Sequence, residues 1–303
     1  MIKYNEKKPK NQEGFQYIDK HLSEKSSNRY KSCGSWIEMF SDIEMEKMKV
    51  HNADFCKNRF CPMCQWRSAK KDAMQVSVLM DYIGQEHGKN FIFVTLTAPN
   101  VIGDELKSEI TKYNKAFKKL VERDEISRIN QGYIRKLEVT YNKIQNTYHP
   151  HFHCIFAVNK SYFTDRTYVK QQRWLELWKE VMGDDTITQV DIRRVRRSKD
   201  GNEIAKYAAK SSDYLISQDI FDVFYGALKG RQLITFNNIF AQANKKYKAK
   251  ELDIYKTRDE AEYVYLILYQ WGGQAYLENR IRRIDEHEYK ELKKLSVDES
   301  SLG

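Results

Sequence analysis

The sequence has no apolar run approaching the ~20 residues needed to cross a bilayer. Its longest, YVYLILYQW at 263–271, is far too short. The opening stretch MIKYNEKKPKNQEGF carries basic residues with no apolar segment behind them, so no secretory leader is read there. A cytoplasmic protein without membrane attachment is therefore expected. The chain also lacks an internal repeat and any long low-complexity tract. Cysteine is scarce, five in 303 residues, and in a reducing compartment these do not make a disulfide framework. They need another use.

Positive charge and rings are plentiful. Lys and Arg number 52 against 42 Asp and Glu, a formal net charge of +10 with a pI near 9.1. That excess suits a polyanionic partner, because neutralising phosphates releases condensed counterions. Charge alone fits a solvated basic surface equally well. The chain has 20 Tyr, 14 Phe and 5 Trp, a large aromatic supply for a mean hydropathy of −0.74. Such rings fill a core or stack unpaired bases. The length is enough for one large domain or two smaller ones.

Periodicity gives the order of elements. A helix is predicted over 65–83, ended by Gly84, followed by the strand FIFVTLT at 91–97. Leu106, Ile110, Tyr113, Phe117 and Leu120 recur at helical spacing within 104–123. Strands at 133–141 and 151–158 lie close enough to form a hairpin. A helix over 169–182 closes at Gly183, a strand covers 187–195, and a helix starts at Glu203. The class is α+β, with a central antiparallel sheet and flanking helices. Four segments are expected: a loose basic stretch over 1–30, a cysteine module with its helix over 31–85, a core over 86–217, and an extension over 218–303 for DNA binding or oligomerisation. Residues 218–260 resist placement.

Three groupings carry chemistry. In HPHFH at 149–153, alternation puts His151 and His153 on one face of a strand and Phe152 on the other. If strands 133–141 and 151–158 pair, Glu138 reaches that face as a third ligand. Two imidazoles and a carboxylate hold a divalent cation and leave open positions. His149 is read as lying off the strand register, either a residue supporting the ligands from behind or a bystander. In EIAKYAAK at 203–210, Glu203, Lys206, Tyr207 and Lys210 share a helical face. A phenol there can attack a polarised phosphate, the lysines offset phosphate charge, and Glu203 can act as general base for water. Tyr214 continues that face, so a second nucleophile is a ranked alternative. The third grouping is Cys56, Cys61 and Cys64, a C-x2-C knuckle with an upstream cysteine, for which Cys33 is the natural fourth ligand and His51 a weaker substitute. Four thiolates close a structural zinc site. Cys154 is left over as core. Arg59 and Arg67 near the knuckle, and Arg193, Arg194, Arg196 and Arg197 before the tyrosine helix, are candidate DNA contacts alongside Lys206 and Lys210.

Together FVTLTAPN (93–100), HPHFH and EIAKYAAK resemble, in that order, the three motifs of the HUH endonuclease superfamily, and within it the rolling-circle plasmid replication initiators with a single catalytic tyrosine and a catalytic Glu. The resemblance spans roughly residues 33–215. It implies an HUH sheet of ferredoxin-like or RRM-like form, with the histidines on a central strand and the tyrosine helix nearby. It assigns His151 and His153 as ligands of Mn2+ or Mg2+, Tyr207 as nucleophile and Glu203 as terminating base. It further implies a nick in single-stranded or hairpin origin DNA, a 5′-phosphotyrosine, a free 3′-OH primer, and a host helicase and polymerase as partners; a homodimer is a candidate assembly. A relaxase or transposase of the same superfamily is the nearest alternative. A zinc-containing DNA-binding regulator would have no need of His151, His153 or Tyr207. A non-haem iron oxygenase would leave the charge, the knuckle and the tyrosine helix unexplained.

Overall fold

The computed structural model describes residues 1–195, 211–256 and 259–294. The chain divides into one unit formed by Met1–Met74 with Asp253–Gly303 and a second, Gln75–Leu252. Of the two crossings between them, that at Met74–Gln75 falls within a long helix.

The first unit opens with α1 (Ile2–Ile18) and α2 (Glu24–Ser32), where a loose segment was expected. α1 buries Tyr4, Lys8, Asn11, Gly14 and Ile18, a helical stripe whose middle members are polar or side-chain-free. Hydropathy cannot detect such a stripe. Lys8 is tolerated inside because its ammonium donates to the Cys33 carbonyl at 2.7 Å and to Asn11 Oδ1 at 3.3 Å. β1 (Trp36–Ser41) and β2 (Met48–Ala53) follow, and α3 (Pro62–Glu86) begins directly after the cysteine knuckle. α3 does not stop at Gly84; the left-handed residue comes at Gly88, φ +59°.

The second unit is built on five antiparallel strands. They are β3 (Lys89–Thr97), β4 (Gly132–Asn142), β5 (Thr147–Asn159), β6 (Val190–Val195) and β7 (Ile234–Phe236), in the order β6-β3-β5-β4-β7. β5 is central and paired on both sides, as a strand with ten buried residues in thirteen positions requires. One of its faces holds Phe152, Cys154 and Phe156. Against these pack α4 (Gly103–Glu122) and α6 (Gln171–Met182), and α5 (Asp124–Ile129) connects α4 to β4. Tyr113 and Phe117 meet Phe152 edge-on at 5.5 and 5.6 Å, and Trp174 meets Phe156 at 5.5 Å. Removing one such ring costs about 3–5 kcal/mol. The opposite face of β5 carries His151 and His153.

The last third of the chain separates into two parts. Residues up to Leu252 add β7 and the helices Gln218–Leu228 and Ile239–Lys248 to the second unit. Beyond them β8 (Tyr265–Trp271) and β9 (Tyr276–Arg283) join the first unit in an antiparallel sheet of order β2-β1-β8-β9. The single extension expected over 218–303 is therefore divided, and YVYLILYQW becomes an internal strand. No described helix is long and apolar enough to cross a membrane.

Two glycines with positive φ make the backbone argument testable. Gly132 starts β4 at φ +144°, and an added Cβ would lie 2.7 Å from the Asn237 carbonyl oxygen and 2.9 Å from the Ile239 nitrogen. Gly183 ends α6 at φ +60° with nothing within 4 Å of such a Cβ. Gly183→Ala is expected to cost only left-handed strain, about 1–2 kcal/mol. Gly132→Ala must also displace backbone and should cost clearly more, as read by urea denaturation; equal losses would contradict this reading.

Candidate functional site

The β4–β5 pairing sets Glu138 opposite His151 and Lys136 opposite His153. Directly opposed residues share a face, so the hairpin alone brings the carboxylate to the two imidazoles. Glu138 Oε2 lies 2.9 Å from His151 Nε2 and 2.9 Å from His153 Nε2. All three residues are buried. They form a candidate metal-binding set, as the strand pairing led us to expect.

The hydrogen bonds behind the rings bear on whether a cation fits. His151 Nδ1 is 3.2 Å from the His149 carbonyl oxygen. A carbonyl only accepts, so Nδ1 carries the proton, and in the neutral ring Nε2 is a lone pair. That lone pair faces a carboxylate oxygen at 2.9 Å. Two lone pairs at this distance repel unless a proton or a cation lies between them. The cis edge of an octahedron with ~2.1 Å bonds is about 3 Å, so the observed spacing matches the edges of a coordination shell. The donor set fits a divalent cation with open positions.

Electrostatics favours the ligating forms of Glu138 and His153. Burial works to raise the Glu138 carboxyl, but the two imidazoles beside it, when they carry a proton toward it, outweigh burial and hold it at about 2, so the group is a carboxylate whether a proton or a cation fills the space between. Burial pushes the His149 imidazole down to about 4, with His151 adding to the effect. Burial also lowers His153, against the hydrogen bond to Glu138, while the nearby Lys136 adds to the lowering. Lys136 is itself 2% exposed and, by alternation, shares the Glu138 face. A neutral imidazole is the form that ligates.

The FVTLTAPN motif acquires a role that its sequence did not reveal. β3 lies beside β5, with Thr95 opposite His153 and Thr97 opposite His151. Thr95 Oγ1 is 3.3 Å from His153 Nδ1. Asn100 accepts from His149 Nδ1 at 2.8 Å and donates to Thr147 Oγ1 at 3.0 Å. The motif thus fixes the far nitrogens of two rings in HPHFH. His149 is not off the register: it lies within β5, its carbonyl oxygen 3.2 Å from His151 Nδ1 and its ring 5.2 Å from that of His151, which agrees with the supporting role rather than the bystander.

The structure places the remaining candidates unevenly. Arg193, opposite Phe93 on β6, shares the histidine face, with its guanidinium over the Phe93 ring at 4.6 Å. Arg194 alternates to the other side and lies over Phe163 at 4.4 Å. Tyr207, Glu203, Lys206, Lys210, Arg196 and Arg197 lie outside the described residues. Tyr214 is fully buried against Phe221 and Phe224.

In the other unit, Cys33, Cys56, Cys61 and Cys64 converge as a second candidate metal-binding set. Cys33 Sγ is 3.6 Å from Cys61 Sγ and 3.5 Å from Cys64 Sγ, and Cys56 Sγ is 3.6 Å from Cys64 Sγ. The edge of a tetrahedron with ~2.3 Å Zn–S bonds is about 3.8 Å. Gly34, at φ +68°, makes the turn after Cys33. Backbone N–H groups of Cys56, Lys57 and Asn58 donate to the sulfurs, and Asn11 Nδ2 donates to Cys61 Sγ at 3.4 Å. Hydrogen bonds from Cys33, Cys56 and Cys61 pull the Cys64 thiol strongly down. His51 instead packs on Phe40 at 4.6 Å, and Cys154 is buried in the second unit's core. Arg67 hydrogen-bonds the Tyr4 hydroxyl and lies over Phe55 at 4.2 Å, while Arg59 is half-buried.

Comparison with known proteins gives the same direction as the geometry. A family model described as Replication protein matches residues 47–277. A Protein rep of Staphylococcus aureus is 48% identical over 221 residues, covering 72% of this chain and 96% of that protein. A Protein rep of a Bacillus species is 34% identical over 77% of this chain and 85% of its own length. One from Streptococcus pneumoniae is 33% identical over 77% of each. No solved structure matches. The matched span takes in both candidate metal sets apart from Cys33, together with all three motifs, and the chain belongs to the Replication protein family of rolling-circle plasmid initiators that those motifs resembled.

Proposed function

We propose that this chain starts rolling-circle replication by nicking one strand of single-stranded or hairpin origin DNA and remaining attached to it through Tyr207. The observation that carries the reading is one carboxylate oxygen of Glu138 at 2.9 Å from the Nε2 atoms of both His151 and His153. Nothing in a purely structural core calls for three buried ligating groups converging in this way.

A Mn2+ or Mg2+ ion held by these residues supplies Lewis acidity at the scissile phosphate. The chain's own groups do the rest. His151, His153 and Glu138 define where the phosphate must lie, and Thr95 and the His149 carbonyl hold the rings. Arg193, on the same face, offsets phosphate charge. The Tyr207 oxygen attacks phosphorus, a P–O(Tyr) bond forms, and the P–O3′ bond breaks. The phenol proton ends, by way of solvent, on the 3′ oxygen, which is then a hydroxyl able to prime a host polymerase behind a host helicase. Glu203 acts as base for water at the second cleavage, and Lys206 and Lys210 stabilise the phosphate. The full burial of Tyr214 supports one tyrosine rather than two. The four cysteines are read as a closed structural zinc site. Lys8 offsets part of the net negative charge that four thiolates leave around a dication.

Incubating the protein with Mn2+ and a single-stranded origin oligonucleotide should give a covalent band on a denaturing gel. Tyr207→Phe should abolish it, and His151→Ala or His153→Ala should lower its rate by at least ~10²-fold through loss of the cation. Glu203→Gln should still form the first adduct and fail at the second cleavage. A band that survives Tyr207→Phe removes the nucleophile assignment. Protein purified without chelator should carry about one zinc per chain, and Lys8→Met should release that zinc faster to a chromogenic chelator. Zinc well below one equivalent would remove the structural reading.

A further inference from the structure

The nicking scheme leaves Lys136 without a task, although the sheet places it beside the ligands. One line of paired residues crosses the five strands there: Asp191 on β6, Thr95 on β3, His153 on β5, Lys136 on β4 and Ile234 on β7. Alternation along β4 puts Lys136 and Glu138 on one face, with Leu137 between them turned to the other. Lys136 is 2% exposed, the same as Glu138. A phosphate seated at the buried ligands therefore lies among their neighbours on this face, and Lys136 is one of them.

A structural cation that merely offsets Glu138 is the competing account, and the surroundings argue against it. The Glu138 Oε2 atom is already met by both imidazoles at 2.9 Å. A buried ammonium beside a metal-ligating ring also opposes cation binding, since like charges repel strongly where water is excluded. A site meant only to hold an ion is better served by a neutral residue, such as Thr95 on the other side of His153. The lysine fits once the substrate is included. With a dication bound, Glu138 offsets about one unit of charge and Lys136 adds about one, which leaves these side chains and the ion strongly positive. A phosphodiester and an attacking phenolate together return about two negative units. Arg193 acts only from the rim, across β5 on β6, over Phe93 at 4.6 Å and 3.7 Å from Asp191, with 48% of its side chain exposed.

We infer that Lys136 is a further catalytic residue, whose ammonium donates to one non-bridging oxygen of the scissile phosphate and fixes the phosphorus for in-line attack. The inference rests on the nicking reading above and deepens it. Attack by the Tyr207 oxygen forms the P–O(Tyr) bond and breaks the P–O3′ bond, while the non-bridging oxygens keep their negative charge. Lys136 keeps its proton from start to finish, so it clamps the phosphate and is neither acid nor base. His153 then stands between two supports of different kind: Thr95 holds its ring, and Lys136 holds the anion that comes to it.

The test uses the full chain with Lys136→Met, and with Lys136→Gln as a second variant that keeps a donor should the first not fold. Mn2+ binding, titrated by electron paramagnetic resonance, should be unchanged or tighter without the ammonium. Adduct formation at saturating Mn2+ should nevertheless fall roughly 10²- to 10³-fold. Binding gives a readout free of chemistry. In a Tyr207→Phe background with Mn2+, the single-stranded origin oligonucleotide carries at the scissile position either a phosphodiester or one of the two methylphosphonate isomers, each lacking one charged oxygen. One isomer should bind ~10-fold or more weakly than the phosphodiester, and Lys136→Met should erase that penalty while the other isomer's persists. A rate within ~3-fold of wild type at saturating Mn2+, or two penalties that both survive Lys136→Met, would overturn the inference. Loss of the melting transition in both variants would assign the lysine to the fold and overturn it too. A wild-type chain that forms no adduct yet shows the isomer-specific loss would sink the nicking reading and leave Lys136 as the phosphate anchor.

Discussion

The antiparallel register of β4 against β5 is the constraint on which the site depends. It alone places Glu138 across from His151, so that one carboxylate oxygen meets two imidazole nitrogens. Strand alternation has period two, so a slip of one residue would carry Glu138 to the helix-covered face and leave the histidines without a carboxylate. What prevents the slip is on the other side of the sheet. Phe152 and Phe156 are locked into rings contributed by α4 and α6, and exposing either would cost several kcal/mol. The chemistry of one face is positioned by the hydrophobic packing of the other.

That arrangement explains why the first motif must lie beside the second. β3 pairs with β5 over its full length, and Thr95 on the histidine face meets a ring nitrogen while Thr97 donates to the Gln189 carbonyl. Asn100, just past the strand end, meets a ring nitrogen of His149. A histidine whose Nδ1 proton is claimed by an acceptor has its Nε2 lone pair directed for it. On the reading proposed, the three motifs have distinct physical functions: one orients, one ligates, and the third supplies the nucleophile.

The sequence made the local part of this legible. Short separation made the hairpin readable, and with it Glu138; side-chain alternation gave His151 and His153; knuckle spacing gave Cys56, Cys61 and Cys64, with Cys33 completing the set. Other features escaped for identifiable reasons. β1 pairs with β8, so Phe40 opposes Leu266 across more than 200 residues of chain, and no local pattern announces such a partner. β7 has three residues, none of them fully buried, and is held mainly by pairing with β4. α1 hides because its inward residues include Lys8 and Asn11, buried by hydrogen bonds rather than by apolarity. Gly84 was read as a stop, yet a helix tolerates one glycine at a cost of about 1 kcal/mol where packing continues.

The two candidate metal sets differ in a way that, on the reading proposed, separates their tasks. Four sulfurs with edges near 3.5–3.6 Å leave a tetrahedral ion no free position, and soft thiolates favour zinc over harder cations. One carboxylate and two imidazoles provide three donors on one side of an ion and leave its remaining positions open. Affinity order alone would favour zinc at both sets over Mn2+ or Mg2+. The distinction must therefore come from coordination number: an ion that accepts six ligands can hold Glu138, His151 and His153 and still take phosphate oxygens and water, whereas a closed four-sulfur shell can only tie chain segments together. On this argument the cysteine set is a fastening for α1, the turn at Gly34 and the start of α3, and the histidine set is where a substrate can enter the coordination shell.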